Sequence, residues 1–270
     1  MPEVIVGELT SGTGAPPVPL PRLSAMNSTG WAVHAERLRK RYGGKVAVDD
    51  LDLRVDAGTV LGILGANGAG KTTLVEMIAG LRAPDSGQVS VLGLDPERDR
   101  AKVRQVLGVQ LQHANLHQAL TVAELVALYR SFYPDPRPAG ELLELVGLSD
   151  QRGIRFEKLS GGQQQRLSIA LALAGRPRVV ILDELTTGLD PRGKRRMWEA
   201  IERLRDEDVT VLLVSHAMEE VQRLCDRVVL IDSGRAVALD TPAGLVARAG
   251  TDDLDGAFVA LTGKELEDGE

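Results

Sequence analysis

The sequence predicts an α/β fold with a mostly parallel sheet, an antiparallel β layer beside it, and a helical insert. Three observations predict it. Apolar runs at Val60 to Leu64, Val179 to Leu182 and Val209 to Val214 are strand-sized and each adjoins a helical segment, as in parallel strands buried on both faces. Val46, Val48, Leu51, Leu53 and Val55 recur among Asp49, Asp50 and Asp52, the pattern of a half-exposed layer. The stretch from Leu120 to Lys158 carries helical patterns instead.

At 270 residues the chain can bury a full core. We read a disordered tail over residues 1–30, one domain over 31–245 with its helical insert at about 113–160, and a C-terminal extension over 246–270. Pro16, Pro17, Pro19 and Pro21 lie among Gly, Ser and Thr in the tail, which lacks the charged and apolar regions of a secretory signal. A net charge of -6 argues against a broad nucleic-acid footprint, so no nucleic-acid partner is expected. Cys225 is the single cysteine, which excludes an internal disulfide and multi-cysteine metal sites and fits a reducing cytoplasm. No apolar run reaches the length of a membrane span.

In chain order, Val60 to Leu64 ends at glycines and Lys71 to Ala79 reads as a helix closed by Gly80. Thr121 and Glu124 form a capping box ahead of Leu125, Val126 and Leu128, and Glu141 to Val146 is helical again. Ser160 and Gln163 stand in the same register before a helical run, Gln164 to Ala174. The closing segment, Asp252 to Gly263, reads as an amphipathic helix.

Gly65-Ala66-Asn67-Gly68-Ala69-Gly70-Lys71-Thr72 fits G-x-x-x-x-G-K-S/T between a strand and a helix, the setting a phosphate-binding loop requires. Glycines let backbone N–H groups face phosphate oxygens, and the helix adds its positive end. Lys71 is expected to reach the β and γ phosphates of ATP, and Thr72 to ligate magnesium. Asp183 and Glu184 stand at the C-terminal end of a buried strand, where open α/β sheets place ligands. Asp183 is expected to hold magnesium through water and Glu184 to activate the attacking water. His113 and His117 read as polar loop residues.

Together the phosphate loop, Leu159-Ser160-Gly161-Gly162-Gln163-Gln164-Gln165-Arg166, and Asp183-Glu184 followed by Gly188-Leu189-Asp190 resemble the ATP-binding-cassette (ABC) family. The resemblance runs from about Trp31 to Pro242 and implies a phosphate-loop NTPase core that binds and hydrolyses ATP with Mg2+. It implies that two copies pair head to tail, so that Ser160, Gly161, Gly162 and Gln163 meet the γ phosphate on the opposite copy, with Asp190 linking the two sites. His216 matches the switch histidine. Gln112 matches the glutamine that senses magnesium and water, although Gln110 lies on the same strand face. Tyr42 resembles the aromatic that stacks on adenine, and Asn67, Gly68, Gly70 and Thr73 complete the nucleotide set with Gly65, Lys71 and Thr72. Leu185 stands where many relatives have proline. The closing segment resembles drug and antibiotic exporter ATPases, which implies an integral membrane subunit as partner and a place on the cytoplasmic face of the membrane. Two other readings stay open, a regulatory ABC ATPase on a membrane complex and a soluble one acting on DNA or ribosomes.

Overall fold

The computed structural model describes residues 30–111 and 116–264; the predicted tail up to residue 29 and the candidate Gln112 lie outside the described residues. The chain opens with β1 (Trp31–Tyr42) and β2 (Lys45–Asp56), then β3 (Val60–Leu64), α1 (Lys71–Ile78) and β4 (Ser86–Val91). Strands β2, β1 and β4 form the expected antiparallel layer, in that order. Sequence periodicity does not reveal β1, because its register shifts between Ala35 and Leu38. Arg37 there adopts φ 47°, and its N–H donates to the Asp52 carboxylate at 2.8 Å, so the amide is satisfied although the pairing slips.

The main sheet adds β5 (Leu107–Gln110), β6 (Val179–Asp183), β7 (Thr210–Val214), β8 (Arg227–Asp232) and β9 (Arg235–Asp240). Its order is β5-β6-β7-β3-β8-β9, parallel except for the β8–β9 pairing. Successive residues of one strand enter different cores. Leu61, Ile63, Val179, Ile181, Leu212 and Val214 pack with α1 and the antiparallel layer. Val60, Leu64, Val180, Leu182, Val211 and Leu213 pack on the opposite face. That two-sided burial is why these strands read as unbroken apolar runs.

Helix α2 (Arg100–Val106) leads into β5. The insert holds α3 (Val122–Arg130) and α4 (Ala139–Leu145), which pack on α5 (Gly161–Ala172). The Thr121 capping box is formed: the Glu124 N–H donates to the Thr121 hydroxyl at 3.2 Å, and the Thr121 N–H donates to the Glu124 carboxylate at 2.8 Å. Such a cap contributes about 1 kcal/mol. Arg137, 3% exposed, fastens the insert to the core by donating to Glu141 and to both carboxylate oxygens of Glu207, just beyond α6 (Pro191–Asp206).

Helices α7 (Met218–Leu224), α8 (Pro242–Ala249) and α9 (Leu254–Thr262) complete the chain. The expected boundary between residues 245 and 246 falls inside α8. Leu245 of α8 and Leu254, Ala257 and Phe258 of α9 join the core beneath the main sheet. Burying a side chain such as Phe258, 1% exposed, stabilises by about 1.5–3 kcal/mol. Cys225, at the C-terminal end of α7, is buried with its Sγ against Gly62 of β3.

Candidate nucleotide site

Strands β6, β7 and β3 are neighbours, and their carboxyl ends deliver Asp183, His216 and the phosphate loop to one place. A cavity of about 290 Å³ lies there, lined by Tyr42, Lys45, Ala47, Asn67, Gly68, Gly70, Lys71, Thr72, Thr73, Asp183, Glu184 and His216. The loop owes its shape to close packing. Gly70 sits at φ 108°, and a Cβ there would lie 2.2 Å from the Ala47 carbonyl oxygen. Only glycine meets both demands. Gly65 is buried and does not line the cavity; its carbonyl, with that of Ala66, accepts from Lys71 Nζ at 2.5 and 3.1 Å.

Electrostatics in the cavity follow from burial. Desolvation raises the Asp183 carboxyl to about 6, helped by the nearby Glu184 charge and opposed by Lys71. Desolvation lowers Lys71, against the pull of Asp183 and Glu184. His216 is likewise held below its usual value, first by burial and then by Lys71, with Glu184 opposing. The imidazole is therefore neutral near pH 7 and able to accept or donate one hydrogen bond at each nitrogen. Its Nε2 lies 3.9 Å from Glu184 Oε1, and its buried Nδ1 has no hydrogen-bond partner among the described residues. Glu184 adopts φ 54°, an uncommon conformation for a residue with a side chain. Its backbone is pinned on both sides: its N–H donates to the Val214 carbonyl at 2.9 Å, and its carbonyl accepts from Gln165 Nε2 at 3.0 Å.

Tyr42 ends β1 and is 40% exposed, with its ring 5.2 Å from the Arg82 guanidinium and 6.0 Å from Lys40 Nζ. The signature residues stand apart from this cavity. Ser160 and Gly161 are exposed, and Ser160 and Gln163 complete the capping box of α5. Gly162 lies against the next loop, where an added Cβ would come 2.9 Å from Leu189. Asp190 caps α6, accepting from the Gly193 N–H at 2.9 Å. Gln110, the alternative to Gln112, is buried with its side-chain oxygen accepting from the Asp183 N–H at 3.1 Å. Residue patterns did not single out Lys45, which overhangs the phosphate loop, or Gln165. One is a single cation at the start of β2 and the other is one of three adjacent glutamines, and nothing local distinguishes them.

A phosphate-loop nucleotide hydrolase is the class that this sheet order and this set of side chains define. The ABC transporter family matches residues 48–187, and the chain belongs to that family, among its ATP-binding and ATP-hydrolysing cassettes. It is 42% identical over 231 residues to the daunorubicin resistance ATP-binding protein of Streptomyces coeruleorubidus, covering 84% of this chain and 72% of that one. It is 36% identical over 227 residues to the linearmycin resistance ATP-binding protein of Bacillus subtilis, covering 82% and 73%. A solved structure of an ATP-binding subunit of an ABC transporter superposes with a TM-score of 0.79 at 26% identity, covering 85% of this chain and 99% of that one.

Proposed function

We propose that this chain powers export of an antibiotic-like or lipid-like molecule, working as a pair of copies on separate membrane subunits at the cytoplasmic face. The observation that carries the shared site is the separation just described. One cavity gathers Lys71, Thr72, Asp183, Glu184 and His216, while the exposed α5 N-terminus at Ser160 to Gln163 does not line it. A helix N-terminus is a good anion ligand, so a second copy that presents ATP would use it. Among the described residues no helix is long and apolar enough to cross a membrane, which fits separate membrane subunits. The names of relatives in drug resistance and Nod factor export support the export reading.

Within the cavity, Lys71 with the backbone of Asn67, Gly68 and Gly70 cradles the phosphates, and Thr73 extends that contact along α1. Tyr42 stacks on adenine, its face already tuned to planar and cationic neighbours. Mg2+ fits the donors available: the Thr72 hydroxyl and the Asp183 carboxylate are hard oxygen ligands in one cavity, with the Glu184 carboxylate beside them. Thr72, Asp183 through water, and Gln112 are the residues that would hold it. When bound it neutralises charge on the phosphate oxygens. Glu184 accepts a proton from the attacking water, and neutral His216 donates to the γ phosphate.

Glu184→Gln keeps the size of the side chain and removes its basicity. That variant should bind MgATP and pair with a second copy, yet hydrolyse at least about 100-fold more slowly. Turnover close to that of the parent would refute the role assigned to Glu184. For the export reading, a polytopic membrane protein should co-purify from detergent-solubilised cells, and a transport assay on that complex separates export from regulation.

A further inference from the structure

A buried carboxylate lies behind the cavity. Glu220 of α7 is 1% exposed, and two side-chain donors converge on it. The Ser215 hydroxyl donates to Oε2 and Trp198 Nε1 of α6 donates to Oε1 at 3.4 Å, while the nearby Thr186 side chain also favours the charged form against burial. Ser215 is itself held on its other side, because its Oγ accepts from the Ala217 N–H at 3.1 Å. The two residues that flank His216 are therefore tied into one hydrogen-bonded turn whose anchor is Glu220.

We propose that Glu220 is a positioning residue for ATP hydrolysis, which holds His216 in place against Glu184 by binding the Ser215 hydroxyl of the same turn. This rests on the assignment of His216 and Glu184 above. The chemistry calls for a carboxylate at this position. Both hydrogen-bonded side chains are donors, and an ionised carboxylate offers only acceptors. Burial alone pushes the Glu220 carboxyl up, and the bonds from Ser215 and Trp198 oppose that cost. The contact between His216 and Glu184 is 3.9 Å, with neither side chain more than a quarter exposed. A displacement of about 1 Å at such a site can cost on the order of 100-fold in rate.

Glu220→Gln presents an amide N–H to a donor, and Ser215→Ala removes the hydroxyl that links the anchor to the turn. The full chain should be compared for MgATP affinity by calorimetry and for saturating turnover. We expect both variants to bind MgATP within about threefold of the parent and to lose more than about tenfold in kcat. Ser215→Thr, which keeps the hydroxyl, should recover most of what Ser215→Ala loses. In a His216→Ala background, Glu220→Gln should cost less than about twofold more, because the residue it positions is gone. A Glu220→Gln protein with parental kcat beside an impaired His216→Ala protein overturns this inference alone. So does an equal loss in both backgrounds, which marks a purely structural role. His216→Ala turning over like the parent overturns the assignment of His216 and this inference with it. Should Glu220→Gln fail to fold, the serine pair decides: parental turnover in Ser215→Ala, or equal losses in Ser215→Ala and Ser215→Thr, overturns the proposal.

Discussion

At the scale of single residues, the site is assembled from groups held out of their ordinary chemistry. Asp183 shows this most clearly, with its carboxyl at about 6 because burial and Glu184 disfavour the charge. A carboxyl raised on folding binds its proton more tightly in the native state, so it destabilises the fold as pH rises from about 4 through 6. Asp183→Asn should therefore stabilise the nucleotide-free protein by about 2 kcal/mol at pH 8, with the gain shrinking toward zero near pH 4. Urea midpoints of both proteins across that range measure it, and a gain that grows on acidification would contradict the sign. The exchange of stability for a usable carboxylate is common at active sites. Asp183 and Glu184 were legible in sequence because two acids at the end of an apolar strand need a reason to be there. Glu220 was not, since Ser215 and Trp198 approach it from separate segments and only the folded chain joins them.

At the scale of elements, the insert is attached to the core through α5 and through Arg137. The bond to Glu207 reaches from the insert to the end of α6, and the hydrogen bonds from Arg137 hold the Glu207 carboxyl below its ordinary value. A carboxyl lowered on folding contributes stability above its unfolded value and loses it as pH falls through the folded one. Glu207→Gln should cost about 1–2 kcal/mol at pH 7, less than a fully buried pair because Glu207 keeps 36% of its side chain in solvent. The gap between variant and parent should close as the pH falls below the ordinary carboxylate range, read by urea unfolding. Helices α3 and α5 were legible through their capping boxes, each of which the structure forms from the residues expected. Strand β1 was not, because its bulge at Arg37 breaks the alternation on which sequence reading depends. Strand β4 was missed for a different reason: Ser86 to Gln88 are exposed and only Val91 is buried, so little apolar pattern exists.

For the whole molecule, the family and the parallel sheet could be read from a few motifs, and the resemblance already implied a site shared between copies; the fold adds that Ser160 to Gln163 do not line the cavity that gathers Lys71, Asp183 and His216. That separation makes complementation a direct test of the paired arrangement. Lys71→Ala should disable a chain's own phosphate loop. Gly161→Asp should disable what it offers to a partner, by placing negative charge at an α5 N-terminus meant for phosphate. A side chain added at Gly161 meets no atom within 4 Å, so the second variant should fold normally. Each protein alone should be nearly inactive. Mixed in equal amounts, half of the pairs carry one intact site, and about a quarter of parental turnover should return. A mixture no more active than its components would rule out a site shared between copies.

Cys225 gives the molecule a built-in stopwatch. Burial pushes its thiol well above the usual range, and no other cysteine competes for reagent. An alkylating probe can reach it only when α7 lifts away from β3, so the labelling rate counts those openings. Native protein should label about a thousandfold more slowly than urea-unfolded chain, and MgATP should slow it further if opening dismantles the turn that holds His216.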